Sequence, residues 1–308
     1  MSLVEISWAA TILILSLLVV AYCSRVLIRA ASTIGDRLRI GQFATGFVIL
    51  SVMTSLPEML VAVFSVSGGV VGITLGDLFG SNIVNIAFVT SLTLLVGRKK
   101  VPSVPLRELA SVLYFSSLVP LILSIFEVLS GAAGLFLITS FAVFAYLSIT
   151  RGKKLAVVGP ESSGSFHKAV FLLVLAAVGT IIGARFTVDS ATNVAELLGV
   201  ARLVIGAKVV ALGTSLPELL VTMQAARQGR YSMALGNSIG SNLTNMTLIL
   251  GTVFLIAPLE VNIQSLRLAT TFVLIVTSTF WYFLSRGTLG PAEGAILLSE
   301  YSLFLILL

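Results

Sequence analysis

The chain has 308 residues, of which 57% are hydrophobic and only 10% are charged. About a quarter of the residues in an ordinary soluble domain are charged, so this composition excludes a soluble globular protein and indicates a membrane protein. The formal net charge of +6 is informative through its distribution along the chain, and it does not indicate a nucleic-acid partner.

Ten apolar segments are long enough to cross a bilayer, which requires about 20 mostly apolar residues. Segmentation at glycines, prolines and charge clusters places them at 6–28, 42–66, 70–96, 106–126, 130–150, 167–186, 202–226, 230–257, 265–285 and 289–308. The sequence therefore predicts an all-α membrane protein with ten transmembrane helices, located in the cell membrane as a multi-pass protein.

The basic residues between these segments indicate how the chain crosses the membrane. If the N-terminus is outside, most loop arginines and lysines fall inside, and only Arg185, Arg202 and Arg267 fall outside. Because cytoplasmic loops carry the excess of Lys and Arg, we expect both the N-terminus and the C-terminus outside.

Two phrases occur twice in the chain at one fixed offset. The residues "TSLPE" from Thr54 to Glu58 recur from Thr214 to Glu218, and "GDLFGSNIVN" from Gly76 aligns with "GNSIGSNLTN" from Gly236. This pattern predicts a duplicated five-helix unit, with a first repeat at 1–150, a cytoplasmic linker at 151–166 and a second repeat at 167–308. Since five is odd, the second copy should enter the membrane from the opposite side, giving inverted repeats.

The proline in each "TSLPE" phrase predicts a break in a membrane helix. Pro57 cannot donate to the carbonyl four residues earlier, and its ring collides with that group, so the helix should bend near Met53 and Thr54. Such a break is tolerated only where it faces protein or a polar cavity. Ser55 and Glu58 are three residues apart and share one helical face, and the same reasoning applies to Ser215 and Glu218.

The helix that follows each phrase offers a matching polar surface. Glycines at every fourth residue allow two backbones to approach closely. Ser81 and Asn85 are four residues apart and share a face, as do Ser241 and Asn245. Each half therefore supplies one carboxylate, several hydroxyl and amide oxygens and loosened backbone carbonyls at mid-membrane.

Two carboxylates with a shell of neutral oxygens match the ligand preference of Ca²⁺, which takes six to eight oxygen ligands. Zinc or copper would require Cys or His clusters, and the sequence has one of each. The alternative is that the small and polar residues only hold helices together around protonated glutamates. A second copy in register weighs against that alternative, because ionisable groups inside membrane helices are costly and usually functional.

The paired phrases in a ten-helix chain resemble the alpha repeats of the sodium/calcium exchanger family, within the cation/calcium antiporter superfamily, and the resemblance to its compact prokaryotic members covers essentially the whole chain. The resemblance implies a central cation site with flanking sites, and sodium coupling rather than proton coupling. It carries over the side chains of Glu58, Ser55, Ser81, Asn85, Glu218, Ser215, Ser241 and Asn245, and the backbone carbonyls of Ser51, Thr54, Ala211 and Thr214.

The chain departs from the family pattern at three positions. Met53 stands where the second copy has Gly213, Asp77 stands opposite the asparagine type seen at Asn237, and Lys208 lies where a small or hydroxyl residue is common. These departures bear on ion selectivity and on coupling stoichiometry more than on the fold.

Asp77 and Lys208 are each charged in one half only, and they suggest an ion pair. Lys208 lies ten residues before Glu218, roughly 15 Å outward, and Asp77 lies eight residues before Asn85, about 12 Å outward, at 1.5 Å per residue. A buried pair offsets part of the cost of two lone charges, so we hypothesise that Lys208 and Asp77 pair along the outer access route. The alternative is that Lys208 reaches the interface while Asp77 faces water or attracts cations.

The sequence thus predicts a secondary-active antiporter that exchanges Ca²⁺ for Na⁺ by alternating access, with no enzyme activity, no cofactor and no obligatory protein partner. Its partners would be the transported cations and membrane lipids. The nearest alternative is a Ca²⁺/H⁺ antiporter that uses the same two glutamates. An intramembrane protease would need a nucleophile paired with a base, or an aspartate dyad, and a channel would show no dependence on a counter-ion.

Overall fold

A computed structural model describes residues 3–67, 71–97, 101–102, 113–119, 128–129, 131–155, 165–197, 211–256, 259–260, 263–286 and 288–307. These residues are helical almost throughout, as the apolar composition predicts. The helices are Leu3–Arg37, Gln42–Ala44, Ser51–Thr54, Leu56–Ser67, Val71–Ile83, Ser91–Gly97, Gly131–Leu155, Phe166–Leu197, Ala211–Thr214, Leu216–Arg227, Tyr231–Leu243, Leu250–Ile256, Ile263–Ser285 and Pro291–Leu307, with residues 113–119 also helical.

Several of these helices are long and apolar enough to cross a membrane. Within the described ranges there are five, or six if one bent pair counts as a single span. The five are Ile14–Arg37, Leu75–Val96, Gly131–Thr150, Phe166–Gly183 and Tyr231–Ile256. Of the ten predicted segments, 106–126 and 202–226 lie partly outside the described residues. In the segments 265–285 and 289–308, the apolar helices Ala269–Ser285 and Pro291–Leu307 are shorter than the five spans. The number ten therefore stays a prediction.

The bent pair confirms the predicted break at the first "TSLPE" phrase. One helix ends at Thr54 and the next begins at Leu56, with Ser55 between them, and the bend is 43°. The second phrase has the same break, because one helix ends at Thr214 and another begins at Leu216. Pro217 lies in the first turn of the new helix, where proline is tolerated. Each break therefore places a new helix N-terminus inside the protein.

Within the part of the chain that the structure describes, three stretches have π-helical geometry, in which the backbone hydrogen bonds span five residues. They are Thr45–Leu50, Val84–Thr90 and Thr244–Ile249. Single π turns are rare and occur often at functional sites. The second and third lie on the helices that carry Asn85 and Asn245, in corresponding positions of the two halves.

The two halves are packed together at glycines. A methyl group on Gly236 would come within 2.5 Å of the carbonyl oxygen of Phe43, and one on Gly46 would overlap the carbonyl oxygen of Met233. The helix Tyr231–Leu243 therefore crosses residues 42–54 with almost no side chain between the two backbones. This crossing brings the polar residues of the second half against the first break.

Among the described residues, four two-residue strands also join the halves. Val101–Pro102 pairs antiparallel with Thr288–Leu289, and Val128–Leu129 pairs antiparallel with Leu259–Glu260. Each pair takes one strand from each half of the sequence. Elsewhere, Leu3–Arg37 packs along Phe166–Leu197, so the first helices of the two predicted repeats also lie side by side.

Candidate cation-binding site

The two glutamates of the repeated phrases are fully buried. Glu58 and Glu218 each have 0% of their surface exposed, and each lies in the first turn of the helix that begins after its break. The N-terminus of a helix favours negative charge because its free N–H groups and its dipole point toward that charge. The broken helices thus supply a favourable local field for two carboxylates inside the protein.

The carboxylate oxygens differ in their hydrogen bonds. Ser55 Oγ donates to Glu218 Oε1 at 3.0 Å. Within the described part of the chain, Glu218 Oε2 and both oxygens of Glu58 accept no hydrogen bond, and the buried Ser215 Oγ also has no partner. A buried polar atom without a partner is costly, so these oxygens are suited to a ligand that replaces the missing donors.

The predicted asparagines lie on the helices that follow the two glutamates in the chain, and both are fully buried. Asn245 Nδ2 donates to Asn82 Oδ1 at 3.2 Å. Asn85 has neither its amide nitrogen nor its amide oxygen hydrogen-bonded by a described residue, and Asn245 Oδ1 is also unbonded. Amide oxygens of this kind are among the ligands that hard cations accept.

The threonine and serine side chains connect the two halves in matching pairs. Thr54 Oγ1 lies 3.4 Å from Asn237 Oδ1 and 3.5 Å from Ser241 Oγ. The corresponding residue Thr214 donates to Asp77 Oδ1 at 3.0 Å and lies 3.5 Å from Ser81 Oγ. The recorded contacts thus link polar side chains of the two halves around each break. We call these residues, with the buried Glu58, Asn85 and Ser215 of the same segments, the polar cluster.

The next two predicted ligands are the backbone carbonyls of Ser51 and Ala211, which occupy corresponding positions in the two halves. Ser51 O accepts a hydrogen bond from Ser55 N at 3.0 Å and one from Thr54 Oγ1 at 3.3 Å, so it is already engaged by its own chain. Ala211 begins the short helix Ala211–Thr214. Lys208 lies outside the described residues, so its pairing with Asp77 stays a prediction.

The structure adds polar residues that the sequence reasoning missed. Asn82 and Asn242 face each other, Asn237 Nδ2 donates to Thr222 Oγ1 at 2.9 Å, and Ser238 Oγ donates to the carbonyl oxygen of Asn85 at 2.8 Å. The signal for the first two was present, because "GSN" occurs in both copies. Asn237 and Ser238 differ between the copies, so only the three-dimensional contacts reveal them.

The chemistry of the cluster is that of a site for hard cations. Among the described residues there is no group of three or more His, Cys, Asp or Glu side chains that could hold one metal ion. The cluster instead combines the carboxylates of Glu58 and Glu218, and that of Asp77 beside Thr214, with hydroxyl, amide and carbonyl oxygens. Such oxygen ligands suit Ca²⁺ and Na⁺ better than Zn²⁺.

The fold and this cluster define a membrane transporter for cations, and comparison with known proteins identifies the family. The model of the sodium/calcium exchanger protein family matches residues 8–150 and 168–308, so the chain belongs to that family. The resemblance seen in the repeated phrases is thereby confirmed, and so are membrane localisation and a role in cation/calcium antiport.

The relatives cover nearly the whole chain. Sodium/calcium exchanger MaX1 of Methanosarcina acetivorans is 32% identical over 340 aligned positions, which include 96% of this chain and 97% of the relative. Inner membrane protein YrbG of Escherichia coli is 28% identical, over 93% and 91% of the two chains. The structure of the sodium-calcium exchanger NCX_Mj soaked with Na⁺ and Ca²⁺ superimposes with a TM-score of 0.82 at 25% identity, covering 98% of both chains.

Proposed function

We propose that this protein exchanges Ca²⁺ for Na⁺ by alternating access, with Ca²⁺ and Na⁺ competing for the cluster around Glu58 and Glu218. The observation that carries the proposal is the state of Glu58. Its carboxylate is fully buried at a helix N-terminus, yet neither oxygen accepts a hydrogen bond from the described residues. A transported cation would supply the positive charge that such a group lacks.

The proposed ligands follow from the same cluster. We assign to the cations the side chains of Glu58, Glu218, Ser55, Ser215, Ser81, Ser241, Asn85 and Asn245, with the carbonyls of Ser51, Thr54, Ala211 and Thr214. Two carboxylates balance one Ca²⁺, whereas a group of Na⁺ ions at overlapping positions uses the same oxygens. Because the two kinds of ion share ligands, they cannot both fill the site, and exchange follows.

The proposed architecture is ten transmembrane helices in two inverted repeats, 1–150 and 167–308, joined by a cytoplasmic linker at 151–166, with both termini outside. Support comes from contacts that recur at the offset of the repeated phrases. The contacts of Thr54 with Asn237 and Ser241 correspond residue by residue to those of Thr214 with Asp77 and Ser81. An inverted pair of repeats gives alternating access a structural basis, because each half can adopt the conformation of the other.

The decisive experiment is Ca²⁺ flux in vesicles that contain the purified protein. An imposed Na⁺ gradient should drive Ca²⁺ uptake against its own gradient, and a proton gradient of equal size should not. Uptake driven by protons alone would replace the proposal with the Ca²⁺/H⁺ alternative, and Ca²⁺ leakage without any counter-ion would indicate a channel. Na⁺ and Ca²⁺ are substrates in this scheme, and no cofactor is required.

A further inference from the structure

Two asparagines outside the proposed ligand set lie between the two halves of the site. Asn82 and Asn242 have 2% and 1% of their surface exposed. Asn82 Nδ2 donates to the backbone oxygen of Asn242 at 3.5 Å, and Asn242 Nδ2 donates to the backbone oxygen of Asn82 at 3.5 Å. Replacing each residue by its counterpart in the other half turns one of these bonds into the other. This part of the cluster is therefore symmetric.

Two other bonds in the cluster are not symmetric. Asn245 Nδ2 donates to Asn82 Oδ1 at 3.2 Å, and Ser55 Oγ donates to Glu218 Oε1 at 3.0 Å. Exchanging the halves turns the first bond into Asn85 Nδ2 to Asn242 Oδ1. It turns the second into Ser215 Oγ to a carboxylate oxygen of Glu58.

Neither of these exchanged bonds is formed in the structure, and all the atoms they would use are without partners. Asn85 Nδ2, Asn242 Oδ1, Ser215 Oγ and both oxygens of Glu58 are buried and unbonded by any described residue. A buried donor and a buried acceptor that each lack a partner are costly to keep. Their coincidence with the symmetry mates of the formed bonds indicates a second arrangement in which the pattern is reversed.

We infer that Asn82 and Asn242 are positioning residues that alternately hold the amides of Asn245 and Asn85 during transport. In the arrangement described here, Asn82 holds Asn245 while the side-chain amide of Asn85 has no hydrogen bond from a described residue. In the reversed arrangement, Asn242 holds Asn85 and Ser215 donates to Glu58, which frees Asn245 and Glu218. The inference rests on the proposed alternating access and extends it by naming which bonds change.

The two arrangements contain the same number of these bonds, and this equality matters for an exchanger. If one arrangement had more protein hydrogen bonds, it would dominate, and a ligand would need a large differential affinity to populate the other. With equal numbers, a cation bound to the free half can select the arrangement. The symmetric bonds between Asn82 and Asn242 are present in both and serve as the fixed point.

The test uses the matched variants Asn82→Ala and Asn242→Ala. Each variant loses one of the two symmetric bonds, so they differ in the exchanged bond alone. Asn82→Ala removes the acceptor that holds Asn245 and should disfavour the described arrangement, whereas Asn242→Ala should disfavour the reversed one. The measurement is the half-saturating Ca²⁺ concentration for Na⁺-driven exchange in right-side-out and in inside-out vesicles.

The ratio of the two half-saturating concentrations should shift in opposite directions in the two variants, by about fivefold each, as loss of one net hydrogen bond would produce. The double variant should return toward the wild-type ratio, which a purely structural defect would not do. Thr93→Ala serves as control, because Thr93 Oγ1 donates only within its own segment, to Val89 O at 2.8 Å.

Backbone hydrogen–deuterium exchange gives a readout that does not depend on transport. In buffer without Na⁺ and Ca²⁺, residues 51–58 and 211–218 should change protection in opposite directions in the two variants. Shifts in the same direction, or none, in a protein whose wild type exchanges Na⁺ for Ca²⁺ would overturn the inference. Failure of the wild type to couple the two ions would instead overturn the proposed function.

Discussion

The first and second halves of the polar cluster carry the same repeated phrases but make different contacts. In the second half, Glu218 accepts from Ser55 and Asn245 donates to Asn82, whereas in the first half the side-chain oxygens of Glu58 and the side-chain amide of Asn85 have no hydrogen bond from a described residue. Identical residues therefore do not guarantee identical hydrogen bonding. The arrangement of the two halves relative to each other decides which residue is bound and which is free.

A second difference between the halves comes from the residues around the phrases. Asn237 has both amide atoms engaged, because its nitrogen donates to Thr222 and its oxygen faces Thr54. Asp77, its counterpart, has one oxygen bonded by Thr214 and the other unbonded by described residues. The position corresponding to Thr222 in the first half is an alanine at 62, so no side-chain hydroxyl is available there.

The largest effect on transport is expected when either glutamate carboxylate of the cluster is replaced by a neutral amide. Glu58→Gln and Glu218→Gln should each reduce Ca²⁺ transport by at least about a hundredfold, because a neutral amide cannot balance a divalent cation in a buried site. Ca²⁺ uptake driven by a Na⁺ gradient is the measurement. Both variants should be equally inactive despite the different hydrogen bonding of the two glutamates.

The matched control is Glu300→Gln. Glu300 lies on the helix Pro291–Leu307, and Thr279 Oγ1 of the preceding helix donates to its Oε1 at 2.6 Å. No recorded contact joins Glu300 to the cluster. It should retain exchange close to wild type. Near-normal exchange in either cluster variant would remove that glutamate from the site.

A smaller effect is expected from the one-sided charges Asp77 and Lys208. Asp77→Asn and Lys208→Met should each impair exchange or stability, and the double variant should recover much of the loss, with a coupling energy of about 1–3 kcal/mol if the two groups pair. Thermal unfolding and Ca²⁺ uptake would be measured across the double-mutant cycle. Additive losses would rule out the pair.

Asn237→Asp is the matched variant for this cycle, since it places a carboxylate at the corresponding position of the second half. There the side chain would face Thr54 and Thr222 in place of Thr214. We expect Lys208→Met to show no recovery when combined with Asn237→Asp. If Lys208→Met recovered exchange equally in combination with Asp77→Asn and with Asn237→Asp, the recovery would reflect a general charge effect and not a specific pair.

A stability difference of about 1 kcal/mol is expected from the hydroxyls that hold the Asn85 carbonyl. Thr90 Oγ1 and Ser238 Oγ donate to that carbonyl at 2.9 and 2.8 Å, whereas leucines occupy the two corresponding positions, 250 and 78. Thr90→Val and Ser238→Ala should each lower the thermal midpoint, and the double variant should lower it by less than the sum. The two hydroxyl oxygens also lie 2.7 Å from each other, so strict additivity would contradict the expected coupling between them.

The final prediction concerns the side of the membrane on which the linker lies, and its substitutions should leave exchange activity unchanged. In a Cys23→Ala background, cysteines placed in 156–164 should react with an impermeant thiol reagent only from the cytoplasmic side, because the inner loops carry most of the Lys and Arg. Labelling of this linker from outside would reverse the proposed orientation of both repeats. Function should be unaffected by these substitutions, which makes unlabelled exchange activity the control.

Much of this molecule could be predicted from its sequence because the informative residues are chemically unusual for their place. A proline and a glutamate inside an apolar segment predict a helix break and a buried carboxylate, and the structure has the break at Ser55 and the buried Glu58. The repeat offset then predicts the same features at Ser215 and Glu218. Polar residues inside a membrane segment are rare, so each of them carries information.

The rest depends on side-chain geometry between the halves, which no local pattern encodes. Nothing in "GSN" distinguishes Asn82, whose side-chain oxygen accepts a hydrogen bond, from Asn242, whose side-chain oxygen accepts none from a described residue. The role of Ser238 also appears only when its hydroxyl is found beside the carbonyl of Asn85. The π-helical turns were not predicted, because the residues in them are ordinary helix residues.

Those π-helical turns bear on the history of the chain. Val84–Thr90 and Thr244–Ile249 begin at positions related by the same offset as the repeated phrases. A π turn corresponds to one residue inserted into an α-helix, and one added residue rotates everything downstream by about 100°. If the two halves descend from one duplicated unit, as the repeated phrases predict, the shared offset places the insertion before the duplication. Deleting one residue from only one of the two turns should therefore rotate the remainder of that helix out of the register that the two turns now share.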